Sequence, residues 1–588
     1  MNRLSPLRTV RNVVNNLWNL ARELAQYCYK AWKSGLIKAY KASLLSTHLK
    51  NPLNFKRLLY HHDFPFTDIH DEKLEKLHRT SLGLHSLLPS QACYSYSILV
   101  VVHPAELSFL EVCLASILRQ TAPTFEVLIG TTCQLPPSIE KMVIEAKERV
   151  QIVSTTHLND LAKEAKGSFL LCVDTADWIR PDLLHRFEQT LRIFSDPENR
   201  VLYCNLNKMT AQDFFIPLSE IGRPEQLHFP YFFDFFQHEG IMIPKKLWEK
   251  IKGIDPSMKG AEFEDLILRL QLAGAKFQHI PFCLYAVRES KNVELSKPAF
   301  LKALQSYSQA LNLNWSWQEG FHPRSVRALP PLNPKHTVQV IIPYKDQRAL
   351  TLRCIEVLLE QRDVQFKITA IDNRSEDKSI ADAIQAMGAE VISINEPFNY
   401  SRLNNLAVQK TQTAQECDLL LFLNNDVELD LGALAEMVRW IDQPEIGMVG
   451  IRLNFPDGTL QHGGVSLAYR GDKRMHWCHV ERLLEFEEMD LTKKLAIFPA
   501  VTAACALVKK CDFLAVGGFD EIWYPIGYSD THLAFKLGNR LGLKCLYTPY
   551  ASGVHFESVS RKVSHEEYEN SWWLHNLLIE TREISHPK

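Results

Sequence analysis

Apolar runs of strand length alternate with helical spacing along most of this 588-residue chain. From Tyr94 onward, strand-like runs fall at 97–102, 125–129, 150–153 and 169–173, with helical patterns at 107–118 and 158–165. The same order returns at 338–342, 366–371, 390–394 and 419–423, with helical patterns at 349–359 and 401–408. This alternation predicts an α/β fold with a mainly parallel sheet and helices on both faces. Ligands of such sheets bind at the carboxyl ends of the strands. Short signatures recur as well: Gly253-Ile254-Asp255 repeats as Gly518-Phe519-Asp520, and Gly274-Ala275-Lys276 before Pro281 repeats as Gly542-Leu543-Lys544 before Pro549. The chain therefore reads as a duplication. An amphipathic helical region spans 1–90, one α/β domain 91–290 and a second 337–588. Between the two domains, 291–336 is a linker carrying Pro323, Pro330, Pro331, Pro334, Trp315 and Trp317, with the tryptophans packing it down.

Composition changes this picture little. The chain is 46% hydrophobic and 23% charged, as in globular proteins. A net charge of −2 gives no general polyanion signal, so no nucleic-acid partner is expected. Thirteen cysteines without a C-x-x-C pair favour reduced thiols and a cytoplasmic setting. No segment reaches the roughly 18 apolar residues of a membrane span, and the N-terminus lacks a signal-peptide core. Charge is local instead. Residues 1–50 hold nine Lys or Arg against one acid, interleaved with Trp18, Tyr27, Trp32 and Tyr40. That pattern suits either an anionic membrane surface on the inner face of the cell membrane or a helical hairpin on the main body.

The candidate chemistry lies in the second half. Pro343, Tyr344 and Asp346 end one strand, and Asp372-Asn373 ends the next. A carboxylate and an amide past a strand can bind a base or ribose, or simply form a turn. An apolar run stops at Asn424-Asn425-Asp426, an oxygen-rich tip suited to a divalent cation that shares phosphates. Gly517-Gly518 opens a stretch with Asp530 at the head of an amphipathic segment and His555 after a strand. Alone, Asp530 reads equally as a helix N-cap.

The ordered blocks IIPYKDQ (341–347), AIDNRSED (370–377), PFNYSRLNNLA (397–407), LLFLNNDVEL (420–429), GMVGIRLNFPDGTLQHGGV (447–465), VTAACALV (501–508), GGFDE (517–521) and YTPYASGVHFES (547–558) resemble the family 2 glycosyltransferases of GT-A fold. In particular they resemble two-domain bacterial enzymes of O-antigen and surface-polysaccharide synthesis. The resemblance implies two tandem GT-A domains, Rossmann-like with mainly parallel sheets. It places Pro343, Tyr344, Asp346, Asp372, Asn373, Asn404, Asn405 and Asn424 around a nucleotide-sugar donor. It assigns Asp426 and His555 to Mg²⁺ or Mn²⁺, and Asp530 as the base for a glycan or lipid-linked acceptor. One base opposite the leaving group implies inversion. His532 stands where relatives carry a second acid.

In the first half the resemblance is eroded. Ala176 stands where an acid is usual, Gly130 and Thr131 where a nucleotide-binding Asp is expected, Phe263 at the catalytic position and Ala286 for the histidine, while Asp174, Asp177 and Asn159 survive. The first half is expected to be degenerate and the second active. Two rivals stay open: a two-site polymerising transferase using Asp265 as its other base, and a non-catalytic nucleotide-sugar-binding scaffold.

Overall fold

The computed structural model describes residues 94–556, apart from 103, 123, 211–238, 289–295, 322–324, 471–473 and 486–490. The expected helical region 1–90, with its basic segment, lies outside the described residues.

Eight strands make the first sheet: β1 (Tyr96–Val101), β2 (Phe125–Gly130), β3 (Val150–Val153), β4 (Phe169–Cys172), β5 (Trp178–Ile179), β6 (Arg200–Met209), β7 (Ile241–Pro244) and β8 (Lys276–Arg288). Their order is β3-β2-β1-β4-β7-β6-β8-β5. Strands β1 to β4 are parallel, β7 runs against both its neighbours, β8 is parallel to β6, and short β5 is antiparallel to β8.

The expected linker is folded. Its helix Lys297–Ala310 buries Phe300, Leu304 and Tyr307 in one cluster with Met258 and Leu268 of the first half. An antiparallel hairpin follows, β9 (Ser316–Glu319) and β10 (Val326–Leu329). Trp315 lies edge-on to Trp440 of the second half at 5.7 Å, and Arg327 pairs with Glu436 at 2.8 Å. Both tryptophans are thus packing residues.

The second half comprises β11 (Thr337–Tyr344), β12 (Gln365–Asp372), β13 (Glu390–Ser393), β14 (Leu419–Leu423), β15 (Val427–Leu429), β16 (Ile446–Asn454), β17 (Leu460–His462), β18 (Val465–Arg470), β19 (Arg474–His479), β20 (Ala496–Phe498), β21 (Cys505–Lys509) and β22 (Lys544–His555). The main path, β13-β12-β11-β14-β21-β16-β22-β15, repeats the first sheet position for position, and every pairing direction is the same. Strands β17 and β20 are additions on β16 and β22, and β18 pairs with β19.

The apolar runs are continuous because both sheet faces are covered. Val338, Val340, Ile342 and Tyr344 enter one core cluster, and Ile341 enters the cluster on the opposite face. The directions decide where the site lies. Because β16 and β14 both oppose β21, and β22 parallels β16, β22 ends at the same sheet edge as β11, β12 and β14. The helix Ser529–Leu541 returns into β22, so its N-terminus meets that edge too.

Candidate active site

At the nucleotide side the ends of β11 and β12 are stitched together. Tyr344 pairs with Asp372, and the Asn373 N–H donates to the Tyr344 carbonyl at 2.9 Å. Asp372 is almost fully buried. Burial alone would raise its pKa, but hydrogen bonds from Ser375 and the charge of Lys378 prevail and hold it below the usual carboxylate range. The Asn373 amide donates to the Ile394 and Glu396 carbonyls, fixing the approach to the helix Tyr400–Lys410. Asp346 and Gln347 both take left-handed φ values, +51° and +54°, which are uncommon for residues other than Gly. The Asp346 carboxylate accepts from the Glu376 N–H at 2.7 Å, tying the two loops together.

Two of the expected nucleotide contacts, Tyr344 and Asn405, face elsewhere. Tyr344 alternates with Val338, Val340 and Ile342, so the two-residue strand period sends its ring into the core. Asn404 is fully buried and donates to the Tyr400 carbonyl. Asn405 is consumed by the Gly-Gly turn. Its oxygen accepts from the Phe519 N–H at 2.9 Å, and its amide donates to the Phe519 carbonyl and to Glu521. A Cβ on Gly518, at φ +64°, would lie 2.6 Å from that oxygen, which is why Gly stands there. Pro343 is buried near the end of β11.

At the other side Asn424, Asp426 and His555 meet. The His555 Nε2 lies 3.1 Å from Asp426 Oδ1 and 3.4 Å from Asn424 Nδ2, while its Nδ1 lies 2.7 Å from Gln461 Oε1. A carboxamide oxygen only accepts, so Nδ1 carries the hydrogen, and Nε2 is the ring nitrogen that faces Asp426. Oxygen and imidazole donors converge there, a set that fits Mg²⁺ or, with its nitrogen, Mn²⁺.

Asp530 is the second residue of its helix, one past the first position and two past the N-cap, Tyr528. It is therefore not the N-cap. Its carboxylate accepts from the Ala503 N–H at 3.1 Å and the Thr531 N–H at 2.8 Å. Ala503 also accepts from the Tyr400 hydroxyl, which burial and then the charge of Asp530 keep protonated. The adjacent Ala504 carbonyl accepts from the Asn424 N–H at 2.9 Å. One short turn thus holds both the cation-side loop and the carboxylate of Asp530. His532 instead packs at a tilt against Tyr524, 4.4 Å between ring centres, with burial pushing its pKa down to about 4. It is a neutral packing residue.

Residues 339–510 match the family model described as Glycosyl transferase family 2. The second half carries a glycosyl transferase family 2 domain. Over 496 residues, 79% of this chain, the sequence is 29% identical to the O-antigen biosynthesis protein RfbC of Myxococcus xanthus, covering 38% of that protein. It is 26% identical over 521 residues to the uncharacterized protein y4gI of Sinorhizobium fredii, covering 80% of this chain and 54% of that one. The chain thus spans between about two fifths and about half of these curated relatives. Among solved structures it is similar to GalNAc-T7 with UDP, GalNAc and Mn²⁺ (14% identity, 43% of this chain and 49% of that one, TM-score 0.35). It is also similar to the mannosyltransferase PcManGT from Pyrobaculum calidifontis with GDP-Man and Mn²⁺ (16% identity, 44% and 68%, TM-score 0.29).

The family 2 domain gives a ruler for the first half. Phe263 is the second residue of the helix Glu262–Leu272, the place of Asp530. Asp265 is held by Arg269 at 2.6 Å. The pairing of β1 with β2 puts Thr131, not Gly130, level with Asp372; its hydroxyl accepts from the Cys133 N–H, keeping the turn without the charge. For the histidine, the expected counterpart Ala286 is one residue off. Ala286 pairs with Trp178 and His555 with Val427, so Val287 takes the place of His555 and lies opposite Asp177. Asp177 accepts from the Tyr285 hydroxyl at 2.9 Å and the Arg288 N–H at 3.1 Å. Among the described residues, Asp174, Asp177 and Glu239 bring carboxylate oxygens within 4.8 Å of one another. The fully buried Arg288 guanidinium donates to the Ala176 carbonyl beside them. Asn159 repeats Asn405, exchanging hydrogen bonds with the backbone of Ile254 at 2.7 and 2.9 Å.

Sequence reading did not single out Gln461, His462, Tyr400 or the 502–504 turn. All of them lay inside matching blocks (397–407, 447–465 and 501–508), and that position was the available signal.

Proposed function

We propose that residues 337–588 form an inverting, divalent-metal-dependent glycosyltransferase that moves a sugar from a nucleotide-sugar donor to a glycan or lipid-linked acceptor in surface-polysaccharide synthesis. One observation carries this reading: the 502–504 turn bonds Asp530 through Ala503 and the Asn424 loop through Ala504, so a base and a cation site share one sheet edge. Asp530 takes the proton from an acceptor hydroxyl as that oxygen attacks the anomeric carbon. The Ala503 N–H holds the carboxylate in place, and the protonated Tyr400 leaves it as the acceptor of that proton. Asn424, Asp426 and His555 would hold the cation, which would neutralise the leaving diphosphate. Asp372 and Asp346 shape the nucleotide end. Exposed Ile522 and Trp523, on the turn entering the helix of Asp530, offer the acceptor an apolar rim.

The first half is read as non-catalytic. Support comes from Phe263 at the base position and from the commitment of Asp265 to Arg269, which works against two active sites. By charge alone, residues 1–50 are assigned to an anionic surface of the inner leaflet. Salt-sensitive flotation with anionic liposomes tests that, and absence of binding removes it.

The direct test offers a panel of nucleotide sugars with Mn²⁺ and compares the intact protein with Asp530→Asn. Donor turnover lost in the variant supports the reading. Full turnover without Asp530, or none in the intact protein with any donor, overturns it.

A further inference from the structure

The geometry points to Gln461 as a positioning residue that sets the ring of His555 for cation binding, an inference that rests on the reading of Asp426 and His555 above. Gln461 is buried in the three-residue strand β17, 94 residues from His555 in sequence, and meets it through a 2.7 Å hydrogen bond. Imidazole has two neutral tautomers, and only one leaves Nε2 able to ligate. The Gln461 oxygen has no hydrogen to give, so it selects the form with the hydrogen on Nδ1. Nε2 is the other ring nitrogen, 3.1 Å from Asp426 Oδ1 and 3.4 Å from the Asn424 amide nitrogen. The other tautomer would turn an N–H toward the cation.

The strand that carries Gln461 is itself braced. It pairs with β16 across a register shift at Leu453/Asn454. The next residue, His462, is buried, accepts from the Thr502 N–H at 3.3 Å and bonds His479 at 2.8 Å. Adjacent strand residues point to opposite faces. Gln461 therefore aims at the cation side while His462 steadies the turn that holds Asp530. Partners of this kind around metal-binding histidines fix ring orientation, and their loss costs about 10–100-fold in metal affinity.

The test is direct binding of Mn²⁺ alone to the full chain, read from the free-ion electron paramagnetic resonance signal, with melting temperature measured alongside. The ion counted is the one that Asp426→Asn removes. Gln461→Leu deletes the acceptor, Gln461→Asn withdraws it by one methylene, and Gln461→Glu keeps an oxygen in reach. The expected result is Mn²⁺ affinity about 10–100-fold weaker in the Leu and Asn variants and undiminished in Gln461→Glu. Should the Leu variant fail to fold, the Asn–Glu contrast makes the same decision. Equal affinity in all three variants overturns the proposal, as does equal weakening in all three, which would mean packing alone. If the intact protein holds no Mn²⁺ that Asp426→Asn removes, the cation reading falls and takes Gln461 with it. Intact binding with unaffected variants sinks Gln461 alone.

Discussion

In the first half, the helix after the Gly-Ile-Asp turn presents Phe263 at its second residue; in the second half that position is Asp530. The surroundings are nearly the same in both. The eight-strand order, the strand directions and the Asn clamp on the turn all recur. The differences sit at the strand tips: Asp372 against Thr131, Asp426 against Ala176, and His555 against Val287. The cores, which need only apolar volume, stayed alike, while the edge of the first half lacks the two aspartates and the histidine at these three positions, though Asp174, Asp177 and Glu239 still cluster there. A frame of this kind persists without its chemistry because packing and chemistry draw on different residues.

The largest expected effect tests the contrast at the base. Asp530→Asn lowers kcat by roughly 100- to 10,000-fold, the usual worth of a general base, while Asp265→Asn leaves the transfer rate unchanged; steady-state assays with the accepted donor would show both. A large loss from Asp265→Asn would break the comparison by making the first half catalytic. Next in size, Asp426→Asn abolishes stimulation by Mn²⁺. Titrating the ion against initial rate checks this, and unaltered stimulation would move the cation elsewhere.

The shared clamp predicts symmetry instead. Asn405→Ala orphans buried backbone groups and Asn159→Ala half-buried ones, each at a cost of about 1–3 kcal/mol. Both should lower the melting temperature by similar amounts in thermal unfolding. A stable Asn405→Ala protein that has lost only donor affinity would restore Asn405 to the nucleotide.

The smallest effect concerns His336, where the linker enters β11. Its ring lies between Asp418 at 2.5 Å and Asp442 at 2.6 Å. Burial disfavours its charged form, yet the two carboxylates prevail and raise its pKa. A raised folded-state pKa gives stability fully present below the unfolded value, about 6.5, and lost as pH rises through the folded value. Melting temperature should therefore fall over that window, and His336→Ala should flatten the fall. An unchanged pH profile in the variant would remove this contribution.

The strands of both halves were legible in the chain. Runs such as 419–423, buried on both faces, carry their apolar signal residue by residue, and β14 occupies Leu419–Leu423. The meeting of Asp530 and His555 at one edge was legible too, because a helix that returns into a parallel strand must start where the strand ends. What lay beyond reach was contact across long sequence distances. Asn405 looked like a ligand contact until its partner, 114 residues away, proved to be the Gly-Gly turn. Tyr344 looked like a rim residue until the strand period turned it inward. Val287 could be told from Ala286 only by which residue stood across the ladder. By itself the sequence determined the elements, their order and the residue types at the strand tips, because hydrophobic periodicity and turn chemistry are local. Tertiary structure decided which polar side chains face the edge and which are spent inside, because each such hydrogen bond is chosen by a partner that only the folded sheet brings near.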